Sequence, residues 1–501
     1  MNNQSVTEPQ KFATDIVWVS VSQAFILLTG LVTLPALTKC YSPETYGVWV
    51  QIIVTVAVVS VVLTLYLGNA TVRFLAAEDD IEKRRHAFGT MLWPILAFAC
   101  LLLIISLLLR QNLSTFLFAE PKYSYLVPLI FLWASIEALF MFSISYLLAR
   151  GKIKRASIIQ LGLTIIKMVV VVTLAMARYS LGWLIVCLIA GEIIVVAAVF
   201  GMIIREIGLP KPAFEGLKGY LTFSVPLMPS GILLWVIDAS DRYFITHLLN
   251  LSQTGIYSAS YAIGSLISLF YFPIHGVLFP TVSRLWEQNE LSRVRSYLEY
   301  STKLFLTLAI PGVAGLYILS QPLLGILSTS DYMVGGGLIL LVALGTILLG
   351  IYQINFYIIL LMRQTKWLPL MIATAALTNA GINLALIPKI GIMGAAISTI
   401  VSYFILAAIV TVWAGRVISY KVDIKFLAKV IAGTLLMAFC LSFIKIGGVL
   451  GIIIIAVAGV IIFALALWLL RAFSSQDRRL IKEIVLGLKP RASPRDIGKV
   501  R

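Results

Sequence analysis

Ionisable side chains stand where the chain is otherwise hydrocarbon. Glu137, Lys167, Glu192, Asp238, Asp241 and Arg242 fall inside long apolar runs, and Arg73 and Lys303 sit at the ends of two others. A charge near the middle of a bilayer costs roughly 2.5–3.5 kcal/mol on insertion scales, so each of these groups needs a partner, a polar cavity or water. The cations Arg73, Lys167, Arg242 and Lys303 are what an anion crossing a membrane would require along its path. The carboxylates Glu137, Glu192 and Asp238 can pair with a base such as Lys167, or carry a proton, and are therefore candidates for ion coupling. Asp238 and Arg242 are four apart, a spacing that puts two side chains on one helix face, and Asp241 adjoins them. Asp15, near the start of the first apolar run, reads as solvated.

Other chemistries find no support. Cys40, Cys100, Cys187 and Cys440 are scattered without a CxxC pair, so neither a disulfide framework nor a zinc site is expected. His86, His247 and His275 are too dispersed for a metal cluster. The P-loop pattern GxxxxGK[ST] is absent, which disfavours direct use of ATP. The chain therefore reads as a non-enzyme that needs no cofactor.

The elements that must position the charges follow from composition. The 501 residues are 60% hydrophobic and 12% charged, against roughly 45–50% and 25% in soluble domains. The charges cluster between apolar runs of about 20 residues, the pattern of a polytopic helical membrane protein. About fourteen spans are expected, at 14–37, 46–68, 87–109, 124–148, 157–177, 181–204, 219–246, 254–280, 303–327, 335–361, 367–388, 391–414, 426–444 and 448–470. The fold class is all-α, with a six-helix lobe over 1–210, a second over 211–415, a helix pair over 416–471 and a basic cytoplasmic tail over 472–501.

Net charge is +17. No basic soluble domain exists to bind nucleic acid. Most of the 39 Lys and Arg fall in alternate loops, so the positive-inside rule places both termini in the cytoplasm. Trp18, Trp93, Trp286, Trp367, Trp413 and Trp468 lie near span ends, where interfacial belts put them. The tail from Asp477 to Leu488 has one apolar and one charged helical face and is expected to lie on the membrane surface.

A weak internal repeat relates two loop exits. Ser42-Pro43-Glu44-Thr45-Tyr46 leads into Gly47-Val48-Trp49, and Ser252-Gln253-Thr254 leads into Gly255-Ile256-Tyr257. The turn lengths differ when the two serines are matched. Six spans separate the exits, so both halves share one topology and their pseudo-axis runs along the membrane normal. Pro226, Pro229, Pro273, Gly345 and Gly350 are candidate bend points. Tyr261, Tyr271, Tyr352, Gln353, Asn355 and Tyr357 are polar groups that either pack or face a cavity.

Several segments resemble one family. Phe223-Ser224-Val225-Pro226-Leu227-Met228-Pro229, Trp235, Asp241-Arg242-Tyr243, Gly255-x-Tyr257 and Tyr261-x-x-Gly264 are similar to the seventh and eighth helices of the polysaccharide-transporter (Wzx-type flippase) branch of the MOP exporter superfamily. Ser42-Pro43-Glu44-x-Tyr46-Gly47 resembles its first outside loop, and Pro280-x-x-Ser283-Arg284 its stretch after the eighth helix. Asn379-x-x-Ile382-Asn383-x-x-Leu386-Ile387-Pro388 with Gly391-x-x-Gly394-Ala395-Ala396 resembles the eleventh and twelfth helices.

The resemblance implies a MATE-like, V-shaped pair of lobes in the cytoplasmic (inner) membrane. It implies flipping of undecaprenyl-pyrophosphate-linked oligosaccharide for O-antigen, capsule or exopolysaccharide assembly. A cation-coupled drug antiporter and a lipid II flippase are the alternatives within the superfamily. The implied partners are the lipid-linked oligosaccharide, membrane lipids, and polysaccharide polymerase and chain-length machinery. Arg73, Lys167, Asp241, Arg242 and Lys303 are then the substrate-binding candidates. Only Asp241 and Arg242 lie in a matched motif; the others rest on depth in the membrane.

Overall fold

A computed structural model gives the fold over residues 8–212, 214–362, 367–420, 423–444 and 448–472, and every regular element among them is helical. The first group of helices is α1 Glu8–Cys40, α2 Pro43–Leu63, α3 Leu67–Leu75, α4 Ile81–Leu108, α5 Arg110–Phe118, α6 Val127–Ala149, α7 Ile153–Met176 and α8 Leu181–Ile207. The second is α9 Leu217–Ser224, α10 Met228–Ala239, α11 Asp241–Leu248, α12 Leu251–Gly264, α13 Phe272–Glu287, α14 Leu291–Leu327, α15 Gly337–Leu361, α16 Leu368–Ile390 and α17 Ile392–Gly415. Helices α18 Ile424–Ser442 and α19 Gly448–Leu469 close the described chain. The helix expected over Asp477–Leu488 lies outside the described residues.

Among the described residues, twelve helical segments are long and apolar enough to cross a membrane, and Leu28–Cys40 of α1, within the first expected span, is a shorter apolar stretch. The eighth expected span is not among the twelve. The eighth span is cut by a 3-10 turn at Ser265–Phe270, so neither α12 nor α13 alone is long enough. The seventh is also interrupted, by a 3-10 turn at Val225–Leu227, where Pro226 supplies no N–H to the helical ladder.

Local chemistry sets the ends. Ser42, Asp80, Asn250 and Asp423 each cap a helix with a side-chain oxygen that accepts backbone N–H groups. Gly391 alone joins α16 to α17, at φ +64°, a left-handed conformation that suits glycine.

Packing buries apolar side chains in contiguous clusters. One runs through α2, α6 and α8 and takes in Leu251, Ala259 and Ile263 of α12, so the two groups share core at that point. A second joins α3, α4, α6 and α8. In the second group, α13, α14 and α15 share one cluster, and α10, α15, α16 and α17 another. Helices α18 and α19 pack on α14 through Phe426, Met437, Phe463 and Leu319.

Two expected bend points are packing points instead. Gly345 and Gly350 lie within the unbroken α15. Gly350 is glycine because the Phe305 ring occupies the space a Cβ would fill. Tyr271, Tyr352, Asn355 and Tyr357 are buried in the core, Gln353 is half-buried, and Tyr261 is half-buried beside Asp238.

Candidate functional site: two buried charge clusters

The first cluster is built by three helices of the first group. Helix α7 supplies Lys167, α6 supplies Glu137 and Trp133, and α8 supplies Glu192. Lys167 Nζ lies 2.7 Å from Glu137 Oε2 and 2.8 Å from Glu192 Oε2. The Trp133 indole N–H donates to Glu192 Oε2 at 2.9 Å. Glu192 is wholly buried, and its second oxygen has no hydrogen-bond partner. Lys167 and Glu137 line a cavity of about 380 Å³ with Thr29, Thr33, Trp49, Trp133 and Gln160. Of the two readings open for these carboxylates, the structure has the pairing with Lys167, and both share the one lysine.

The second cluster gathers where the seventh span breaks. Asp238 ends α10 and Asp241-Arg242 opens α11. Arg242 Nη1 pairs with Asp241 Oδ1 at 2.6 Å and also donates to the Asp238 backbone carbonyl. The pairing is thus with the adjoining Asp241 and not across the helix face to the Asp238 carboxylate, because the chain leaves regular helix at Ser240. Tyr257 donates its hydroxyl to Asp241 Oδ2. Tyr261 and Tyr403 both donate to Asp238 Oδ1, each at 3.0 Å. The guanidinium also stacks on the Tyr261 ring at 4.1 Å. Asp241 and Arg242 are buried, whereas Asp238 is exposed.

The two remaining cations stand apart. Lys303 pairs with Glu299 at 3.2 Å and lies over Phe426 of α18, on the side of the terminal helix pair. Arg73 is exposed at the end of α3 and has no carboxylate partner among the described residues. Its guanidinium lies 4.3 Å from the centre of the Phe223 ring on α9, where Phe74 also meets Tyr220 and Phe223 edge to face.

Each cluster holds two carboxylates and one base. With every group ionised, each carries one uncompensated negative charge. Both can take up a cation, and neither offers a free positive charge to an anion. Sequence reasoning missed Trp133 and Tyr403, and it quoted Tyr257 only within a motif, with no role. Trp133 had a usable signal, since it lies mid-span, unlike the six tryptophans near span ends. Among the described residues no group of His, Cys, Asp or Glu could hold a metal ion, and the four cysteines are free thiols.

Comparison with known proteins agrees with this architecture. Residues 36–334 match the family described as polysaccharide biosynthesis protein. The chain is 26% identical over 243 residues to a probable low-salt glycan biosynthesis flippase of Haloferax volcanii, covering 48% of this chain and 50% of that protein. It is 23% identical over 321 residues to the succinoglycan biosynthesis transport protein of Rhizobium meliloti, covering 63% of this chain and 62% of that one. The matched region thus spans between half and two thirds of these relatives. The solved lipid II flippase MurJ, in an inward closed conformation, superposes with a TM-score of 0.78 at 16% identity, covering 90% of this chain and 98% of that one. At that identity the likeness is one of fold.

Proposed function

Because the chain belongs to the polysaccharide biosynthesis protein family, we propose that it is a flippase for lipid-linked oligosaccharide. The cargo is an undecaprenyl-pyrophosphate-linked repeat unit, moved from the inner to the outer leaflet of the cytoplasmic membrane for O-antigen, capsule or exopolysaccharide assembly. The observation that supports the reading is a cavity among the helices of the first group, mostly apolar in its lining, that nevertheless holds Lys167, Glu137, Gln160 and three threonines. A polyprenyl tail can stay in lipid during transfer. The sugar hydroxyls and phosphates cannot cross bare hydrocarbon without losing their hydrogen bonds, so they need such an interior.

The clusters then act as counter-charge devices. A pyrophosphate approaching an acidic cluster is repelled until the cluster takes up a cation. Glu137 and Glu192 in the first group, and Asp238 in the second, are the sites of that uptake, which links headgroup passage to a proton or another cation. Lys167 and Arg242 hold the carboxylates in place. Arg73, exposed and without a carboxylate partner among the described residues, is the first cation the headgroup meets. The basic end of the bundle faces the cytoplasm under the positive-inside rule. The two helical groups are the lobes whose rocking alternates access.

The test is reconstitution. Purified protein in liposomes should move an undecaprenyl-pyrophosphate oligosaccharide between leaflets, faster than lipid II and without moving small organic cations. Transport of an organic cation with no glycan movement would replace this reading with that of an antiporter.

A further inference from the structure

Helices α4, α6 and α8 enclose a second cavity of about 270 Å³, lined only by apolar side chains, among them Leu92, Leu96, Ile136, Leu139, Ala197 and Phe200. No helix of the second group contributes to it, so it lies off any path between the groups. Ile193 at its rim is 43% exposed, so the cavity opens sideways to the hydrocarbon around the bundle. Pro94 stands between Leu92 and Leu96 and removes a ladder hydrogen bond from α4 there.

The lining stripes all lead to one end of the bundle. At helical spacing, Leu96 and Leu92 continue through Gly89 to Arg85, Leu139 through Tyr146 to Arg150, and Phe200 through Ile204 to Gly208. These ends meet. Glu206 of α8 pairs with Arg84 at 3.3 Å, Lys152 at 2.6 Å and Arg150 at 3.9 Å, so three bases hold one carboxylate. The acidic turn before α4 is tied down as well: Arg84 donates to the Asp79 carbonyl, Arg150 to those of Leu75 and Glu78, and Asp80 caps α4. Arg85, which also pairs with Glu82, places Nη1 3.3 Å from where a Cβ on Gly208 would stand. Gly208 has φ +80°, and from there the chain turns back over α4 until the Lys211 carbonyl fills the space a Cβ on Gly89 would need. Lys211 is exposed and has no carboxylate partner among the described residues. This same segment is the start of the link between α8 and α9, and so between the two helical groups.

An apolar slot open to lipid, with spare positive charge at its interfacial end, has the profile of a phospholipid: chain inward, phosphate at the rim. We propose that the α4–α6–α8 slot holds one acyl chain of an anionic phospholipid, whose phosphate rests on Arg85 and Lys211 and holds the start of the link against α4. Under the positive-inside rule the lipid belongs to the cytoplasmic leaflet. The site does not depend on the flippase reading.

The test is lipid binding to the purified full-length protein by native mass spectrometry, with phosphatidylglycerol against phosphatidylcholine. Phosphatidylglycerol should bind about tenfold more tightly, the preference expected of one to two basic groups at a membrane surface. Arg85→Gln/Lys211→Gln should remove that preference while leaving phosphatidylcholine binding unchanged. Ala197→Trp, which fills the slot, should remove the tight phosphatidylglycerol adduct. Hydrogen exchange at the Leu209 and Lys211 amides should slow by several-fold when phosphatidylglycerol is added to native protein, and not when phosphatidylcholine is. Equal binding of the two lipids by native protein overturns the proposal, as does an undiminished preference in the charge variant, which decides the matter even where Ala197→Trp fails to fold. Glycerol 3-phosphate competing as well as phosphatidylglycerol would show a free-phosphate site and overturn the role of the slot. A dimer that Ala197→Trp dissociates, with no lipid adduct, would give the slot to a second copy of the chain and overturn the lipid. Unchanged exchange at Leu209 and Lys211 overturns the hold on the link.

Discussion

Glu192 and Lys167 form an ion pair of 2.8 Å in which the carboxylate has no exposure to solvent at all. Such a pair is costly to assemble and costlier to break, since removing one partner strands the other as a buried charge. Lys167→Ala should therefore reduce stability by roughly 3 kcal/mol, the low end for a broken buried pair, because Lys167 and Glu137 retain about a quarter of their exposure. Adding Glu192→Gln should restore most of the loss. Thermal unfolding in detergent checks both. Equal stability of Lys167→Ala and the native protein would show that the pair holds nothing in place.

Arg242→Lys should not be conservative. The guanidinium bonds Asp241, reaches the Asp238 carbonyl and stacks on Tyr261, and a lysine ammonium cannot make all three contacts at once. A loss of about 1–3 kcal/mol in stability is expected, with transport reduced in proportion to folded protein. Transport assays normalised to well-folded protein separate the two effects.

Arg73 should behave in the opposite way. Its only described interactions are with the rings of Phe74 and Phe223, so Arg73→Ala should cost no more than about 0.5–1 kcal/mol in stability. Its effect should fall on transport, as a raised KM for the anionic cargo. An unchanged KM would remove Arg73 from the headgroup path.

Much of this was legible in the sequence. Depth within apolar runs picked out Glu137, Lys167, Glu192, Asp238, Asp241 and Arg242, because hydrocarbon makes unpaired charge expensive. Which side each charge faced was not legible, since the apolar runs are hydrophobic on every face. Lys303 illustrates the limit: it stands at the start of an apolar run, and nothing in its position tells that it turns toward Phe426 of α18. Arg242 chose Asp241 over Asp238 because the helix breaks between them, and no residue spacing announces a break that tertiary packing imposes. The equivalence of Gly47 and Gly255, each five residues past its helix cap, was hidden by matching serines, when a helix cap can equally be asparagine.

Gly350→Ala should destabilise the second group by about 1–3 kcal/mol, because the Phe305 ring fills the site of the new methyl group. Phe305→Leu in the same chain should recover part of the loss. A neutral Gly350→Ala would indicate that α14 and α15 can separate without penalty.

The central claim is tested most directly by leaflet-resolved flipping of an undecaprenyl-pyrophosphate oligosaccharide in proteoliposomes, with and without an imposed proton or Na⁺ gradient. The account predicts protein-dependent appearance of glycan in the opposite leaflet, accelerated by one of the gradients. It also predicts that Glu137→Gln/Glu192→Gln removes this acceleration. Glycan movement no faster than in empty liposomes, from protein shown to be folded, would contradict it.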